Sequence, residues 1–151
     1  MSIAASRLTV YAGQSYGKTA PDGLKRKRGG GAMTDRYLMT LWSKAVRVLK
    51  GEVCNACKSA MAQGTHHIIK RRYRVLRYDV KNGIPLCAHC HPIADRNSAW
   101  ALSLIPEEDR EYLEEMGMWN LQDWLVRAEQ SRAEFLEQEA DELKAIIKGE
   151  A

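Results

Sequence analysis

Two Cys-x-x-Cys pairs, Cys54/Cys57 and Cys87/Cys90, constrain this chain more than any other feature: they hold all of its cysteines, with 29 residues between them. Each pair is a small turn that presents two sulfurs on one side, and two such turns close a tetrahedral four-sulfur site around one zinc ion. Disulfides would be the alternative in an oxidising compartment. The opening stretch MSIAASRLTVYAGQSYGK has no basic segment leading into an apolar one, so a cytoplasmic, reducing location is expected and zinc is the reading. Four thiolates leave the ion no open position. It is therefore expected to be structural Zn2+, a clamp that draws the two turns together.

What the clamp gathers is a set of histidines. His66 and His67 follow the first pair, and His91 directly follows the second. The segment Thr65-His66-His67-Ile68-Ile69 is rich in β-branched residues and reads as a strand, where adjacent side chains leave on opposite faces. His66 and His67 are thus expected to differ in role, one binding a metal while the other, neutral near pH 7, takes a proton from water. The second pair opens a helix expected to run to about Trp100, on which His91 and Asp95 stand four residues apart and share a face. With His66 they offer two imidazoles and a carboxylate to a divalent ion that keeps open positions for water and phosphate oxygens. The carboxylate is a hard ligand and favours Mg2+ or Mn2+. The plain alternative is that these are ordinary polar residues beside a zinc clamp.

Around that centre the chain divides into three parts. Residues 1–33 combine Gly, Ser and Pro with the run Lys25-Arg26-Lys27-Arg28 and read as a disordered basic arm, either inert or a non-specific phosphate contact. Residues 34–105 form the zinc-clamped body. It opens with a helix, capped by Asp35, whose apolar positions Leu38, Leu41, Trp42, Ala45, Val46 and Leu49 recur at helical spacing up to Gly51; a short second strand is expected at 83–86. Residues 106–151 form a helical extension: one helix with Pro106 at its first position running to about Met116, then one long helix capped by Asn120 and striped by Leu121, Trp124, Leu125, Ala128, Phe135, Leu136, Ala140, Leu143 and Ile147. That stripe packs on its own domain or serves a homodimer through the C-terminal helix. No window approaches the roughly 18 uninterrupted apolar residues of a membrane span.

Charge follows the same division. Residues 1–105 carry 18 of the 23 Lys and Arg but 5 of the 19 Asp and Glu, while residues 106–151 carry 5 basic and 14 acidic side chains. A basic body suits a polyanion such as DNA. The densest basic run, from Lys70 through Arg71, Arg72, Tyr73 and Arg74 to Tyr78, follows the histidine pair directly. Lys70, Arg71, Arg72 and Arg74 are its candidate phosphate contacts, with Arg71 and Arg72 the best placed to approach the histidine centre. Tyr73 and Tyr78 read as packing residues, with stacking on an unpaired base as the alternative.

The order C-x2-C, His-His, Asn, C-x2-C-His over residues 54 to about 97 resembles the HNH endonuclease family. The resemblance implies an α+β fold with a ββα-metal core, so that 34–105 would be the nuclease domain. It implies that His67 is the general base, that His66 and His91 are ligands of the catalytic metal, and that Asn82 braces the loop holding the base. Some members carry a further histidine one turn along the helix, where this chain has Asp95. The implied activity is hydrolysis of DNA phosphodiesters to 5′-phosphate and 3′-hydroxyl ends. More narrowly, HHIIKRRYRVLRYDVKNGIPLCAHCH looks like the nuclease segment of phage recombination proteins of the NinG (Rap) type, which act on branched DNA, although the additional cysteine-rich N-terminal region of that group has no counterpart here. A nicking, double-strand phage or homing-type HNH nuclease and a non-catalytic zinc module that binds DNA or protein are the competing readings.

Overall fold

Thr34, one residue ahead of the expected cap, starts the first helix: its side chain accepts from the backbone N–H of Tyr37 at 3.1 Å. Asp35 is thereby free for tertiary contacts, accepting from the Tyr78 hydroxyl at 2.6 Å and pairing with Arg77 at 2.9 Å. The computed structural model describes residues 33–150, so all but the last residue of the basic arm expected over 1–33 lies outside the described residues. Helix α1 spans Asp35–Lys50 and buries Leu38, Trp42, Ala45 and Val46; Leu49, counted in its apolar stripe, is instead exposed at the last turn.

Strand β1, Gly64–His67, pairs antiparallel with β2, Gly83–Leu86, in a register that sets His66 opposite Ile84 and His67 opposite Gly83. β1 ends two residues short of the expected Ile69, because there the chain leaves the sheet for the basic loop, which turns back through a 3-10 turn at Val80–Asn82. All four residues of β2 are buried. Gly83 is required by close approach: a Cβ there would meet carbon atoms of Trp42 and Val46 at 2.7 Å, so only glycine lets α1 lie this near the sheet.

After the second cysteine pair the single expected helix is two, α2 (Cys90–Arg96) and α3 (Ser98–Ser103). Asn97 divides them by leaving helical geometry and capping α3 through the N–H of Trp100. Helix α4 spans Glu107–Gly117, with Pro106 just before its first residue. The long C-terminal helix is likewise two, α5 (Leu121–Arg127) and α6 (Arg132–Lys148). Glu129 takes a positive φ of 51°, and Ser131 with Glu134 forms a reciprocal capping box that restarts the chain as α6.

The structure is thus a mixed α+β fold with six helices and one two-stranded sheet among the described residues. The apolar stripe of 121–147 is used within the chain. Trp124, Leu125 and Phe135 join the cluster built on Ile68, Leu76, Ile84 and Leu86, while Ala140 and Leu143 pack with Leu38, Trp42 and Tyr78. None of the described helices is long and apolar enough to cross a membrane.

Candidate metal centre and basic groove

The four cysteine sulfurs lie within 4.8 Å of one another, close enough to hold one zinc ion. The first turn closes through the Lys58 N–H to the Cys54 carbonyl at 3.0 Å, with Lys58 at a positive φ of 57°, and the Asn55 N–H ties it to β2 through the Pro85 carbonyl at 2.9 Å. In the second turn the Cys90 N–H points at the Cys87 sulfur, 3.4 Å away. Cys57 is exposed, and hydrogen bonds from Ser59 bring its thiol down to about 6; burial pushes Cys90 up to about 12. The set joins a readily ionised thiol to one that stays protonated unless a cation compensates its charge.

A second group of ligand-bearing side chains stands beside the first. One ligand atom each from His66, His91 and Asp95 fall within 4.8 Å of one another. His66 Nδ1 is 3.3 Å and His91 Nε2 3.9 Å from the same Asp95 oxygen, and the two imidazoles meet edge to face at 5.1 Å between centroids. His66 is buried on β1, whereas Asp95 is exposed on α2. Burial, and then the neighbouring His91, lower the His66 pKa below 6.5, which favours the neutral ring, whose one unprotonated nitrogen offers a lone pair to a metal. A mixed imidazole and carboxylate set with an exposed side fits a divalent ion that retains water. His89, between Cys87 and Cys90, is exposed and takes no part.

His67 faces a different environment. Its ring stacks on Trp42 with centroids 3.9 Å apart and planes 12° from parallel, and its Nε2 lies 2.9 Å from the Arg77 carbonyl oxygen. A carbonyl only accepts, so Nε2 carries the proton and Nδ1 of the neutral ring keeps its lone pair. Burial, with added repulsion from Arg71, His66 and Arg77, takes the His67 pKa down to about 4 despite the opposing hydrogen bond. Trp42 is fixed in turn by its indole N–H, which donates to the Asp79 carbonyl at 2.8 Å. This stacking partner lay in the sequence as one more apolar position of α1; only the packing of α1 on the sheet gives it contact with His67.

Asn82 is fully buried behind the basic loop. Its amide nitrogen donates to the carbonyls of Ile69 and Leu76 at 2.9 and 3.2 Å, and its oxygen accepts from the Ile69 N–H at 2.7 Å. One side chain thus ties both ends of residues 69–76 to the turn before β2. Asp79, also buried, accepts from the Tyr112 hydroxyl and joins this turn to α4.

A groove of about 550 Å³ runs over the centre, lined by His66, His67, His91 and Asp95 together with Lys70, Arg71 and Arg72. Arg74 is not part of it and lines a second groove, together with Arg72 and Tyr73. Tyr78 is buried, consistent with packing, and Tyr73 is exposed. Comparison of the chain with family models, with curated proteins and with solved structures returns no match.

Proposed function

We propose that the protein is a metal-dependent endonuclease of the HNH type that hydrolyses DNA phosphodiester bonds, with β1, β2 and α2 as its ββα-metal core. The observation that carries this reading is the division of two adjacent histidines by one strand: His66 joins His91 and Asp95, while His67 is held apart by Trp42 and the Arg77 carbonyl, and both line one basic groove. A non-catalytic zinc module has no need of a desolvated, tautomer-fixed histidine beside a second ligand set.

The residues divide the work as follows. Lys70, Arg71 and Arg72 receive the phosphate backbone, and His66, His91 and Asp95 hold a Mg2+ or Mn2+ ion. That ion, when bound, neutralises charge on the scissile phosphate and on the departing 3′ oxygen. His67 takes a proton from water at Nδ1 as the water oxygen bonds to phosphorus. The P–O3′ bond breaks, the 3′ oxygen is protonated from solvent, and 5′-phosphate and 3′-hydroxyl ends result. A substrate phosphate on Arg71 offsets a charge that lowers the His67 pKa, which moves the base towards the working pH where general-base catalysis is most effective. Asn82 holds the loop that carries the Arg77 carbonyl. Branched DNA is the narrower substrate proposal.

The test is incubation of zinc-loaded protein with plasmid and branched DNA in Mg2+ or Mn2+, with His67→Ala as control. Wild type is expected to cut, and the variant to lose about 10²–10⁴ in rate while keeping its helical circular dichroism. Equal behaviour of the two proteins, or no cutting of any substrate, removes the catalytic reading.

A further inference from the structure

A second groove, of about 470 Å³, shares Arg72 with the first and is formed by Arg72 to Arg74 of the basic loop, residues 117–122 around the α4–α5 connection, Leu125, and Arg132 at the start of α6. Its composition departs from that of the segment supplying most of it. Residues 106–151 carry 14 acidic side chains against 5 basic, yet no carboxylate lines this groove, and the charged groups that do are three arginines. None of the three forms an ion pair among the described residues, in contrast to Arg47 and Arg77. Arg132 stands in the first turn of α6, where the helix dipole disfavours a cation, so its placement is not explained by the stability of its own helix. Between the arginines the surface mixes apolar, aromatic and amide side chains: Trp119, Leu121 and Leu125 line it with Asn120 and Gln122, Met118 is 87% exposed at its edge, and the exposed Tyr73 ring stands beside Arg72, while Arg127 lies over the Trp119 ring at 5.3 Å from its centroid.

Arg72 belongs to both grooves, so a chain whose phosphates follow the loop passes from the histidine centre into the second groove without leaving positive charge. A duplex offers its phosphates outward and keeps its bases stacked inside; it has no use for an aromatic and aliphatic surface between arginines. Unpaired nucleotides use both, the backbone on guanidinium groups and the base faces on rings and apolar side chains.

We infer that this groove binds an unpaired DNA strand of a few nucleotides leaving the histidine centre, with Arg72, Arg74 and Arg132 on its phosphates and Tyr73 and Trp119 against its bases. The inference rests on the nuclease reading for the identity of the polymer, and binding tests it separately from cutting. Fluorescence anisotropy of the full chain, without added Mg2+ or Mn2+, compares a blunt duplex, the same duplex with a 3′ or 5′ tail of about eight thymidines, and one with an abasic tail of equal length. The thymidine tail on one of the two strands is expected to tighten binding about tenfold or more, and the abasic tail by much less. Arg132→Gln should remove most of that gain, lower the salt slope for the tailed duplex by about 0.7, and leave blunt-duplex affinity unchanged. Tyr73→Ala, at an exposed position, should lose the difference between thymidine and abasic tails.

The inference is overturned if tails add no affinity, if abasic and thymidine tails bind alike, or if Arg132→Gln weakens blunt and tailed duplexes equally, even when plasmid is cut. Tail binding that Arg132→Gln abolishes, with no DNA cut under any condition, supports the groove and removes the nuclease reading instead.

Discussion

Asn82 shows how much one buried amide can decide. Its three hydrogen bonds satisfy the Ile69 N–H and the carbonyls of Ile69 and Leu76, none of which is in a helix or sheet ladder there. Asn82→Ala leaves the Ile69 N–H and carbonyl without that partner, while the Leu76 carbonyl keeps the Asp79 N–H at 3.1 Å, and is expected to cost about 2–3 kcal/mol in urea unfolding. On the proposed nuclease reading, cleavage should fall beyond what that loss explains, since Arg77 and its carbonyl follow directly on the segment that Asn82 ties down. The histidines give a second residue-scale prediction. Folding lowers the pKa of His66, and that of His67 from 6.5 to about 4, each mainly through burial. Between those pH values the unfolded chain binds protons that the folded chain does not, so stability rises with pH across the window. It should be complete above about pH 6.5 and lost progressively as pH falls towards 4. Thermal melts from pH 4 to 7 check this, and His67→Gln should flatten the slope.

At the scale of elements, the approach of α1 to the sheet couples the packing to the candidate chemistry. Gly83 admits Trp42 and Val46, and Trp42 then stacks on His67 across the register pair His67–Gly83. Gly83→Ala puts a methyl group into both side chains and is expected to destabilise by about 1–3 kcal/mol. On the proposed nuclease reading it should also reduce cleavage by displacing the ring that holds His67, with altered near-ultraviolet circular dichroism reporting the Trp42 shift. The helix breaks teach a different lesson. Ser131-Arg132-Ala133-Glu134 is a capping-box sequence inside an apolar stripe, so the restart at α6 was present in the residues but outweighed by the continuing periodicity. Asn97 did the same between α2 and α3.

Over the whole molecule, the four cysteines join two turns that no continuous element connects. Cys54, Cys87 and Cys90 are buried in the same cluster as Ile84 and Leu86, so loss of zinc should loosen the core beneath the histidine centre as well as the turns. A zinc content of one per chain is expected by elemental analysis. Stripping it with a strong chelator should lower the melting temperature sharply, and Cys87→Ser should reproduce the effect; a metal-stripped protein with an unchanged melt would dismiss the structural role. The extension shares in this core through Tyr112, Leu113, Met116 and Trp124, so the 34–105 body is not packed without residues that follow it.

Local signals alone determined the two cysteine turns, the strand at 83–86, the opposite environments of His66 and His67 and the shared face of His91 and Asp95, because each depends on spacings that strands, helices and tight turns fix within a few residues. Tertiary structure decided which distant groups meet them: Trp42 on His67, the Arg77 carbonyl on its Nε2, Asp35 on Tyr78 and Arg77, and Arg132 across from Arg72 and Arg74. Those pairings join residues ten or more positions apart, and no periodicity encodes them. They arise only when the apolar faces of α1, α5 and α6 are buried together and carry their polar neighbours into contact.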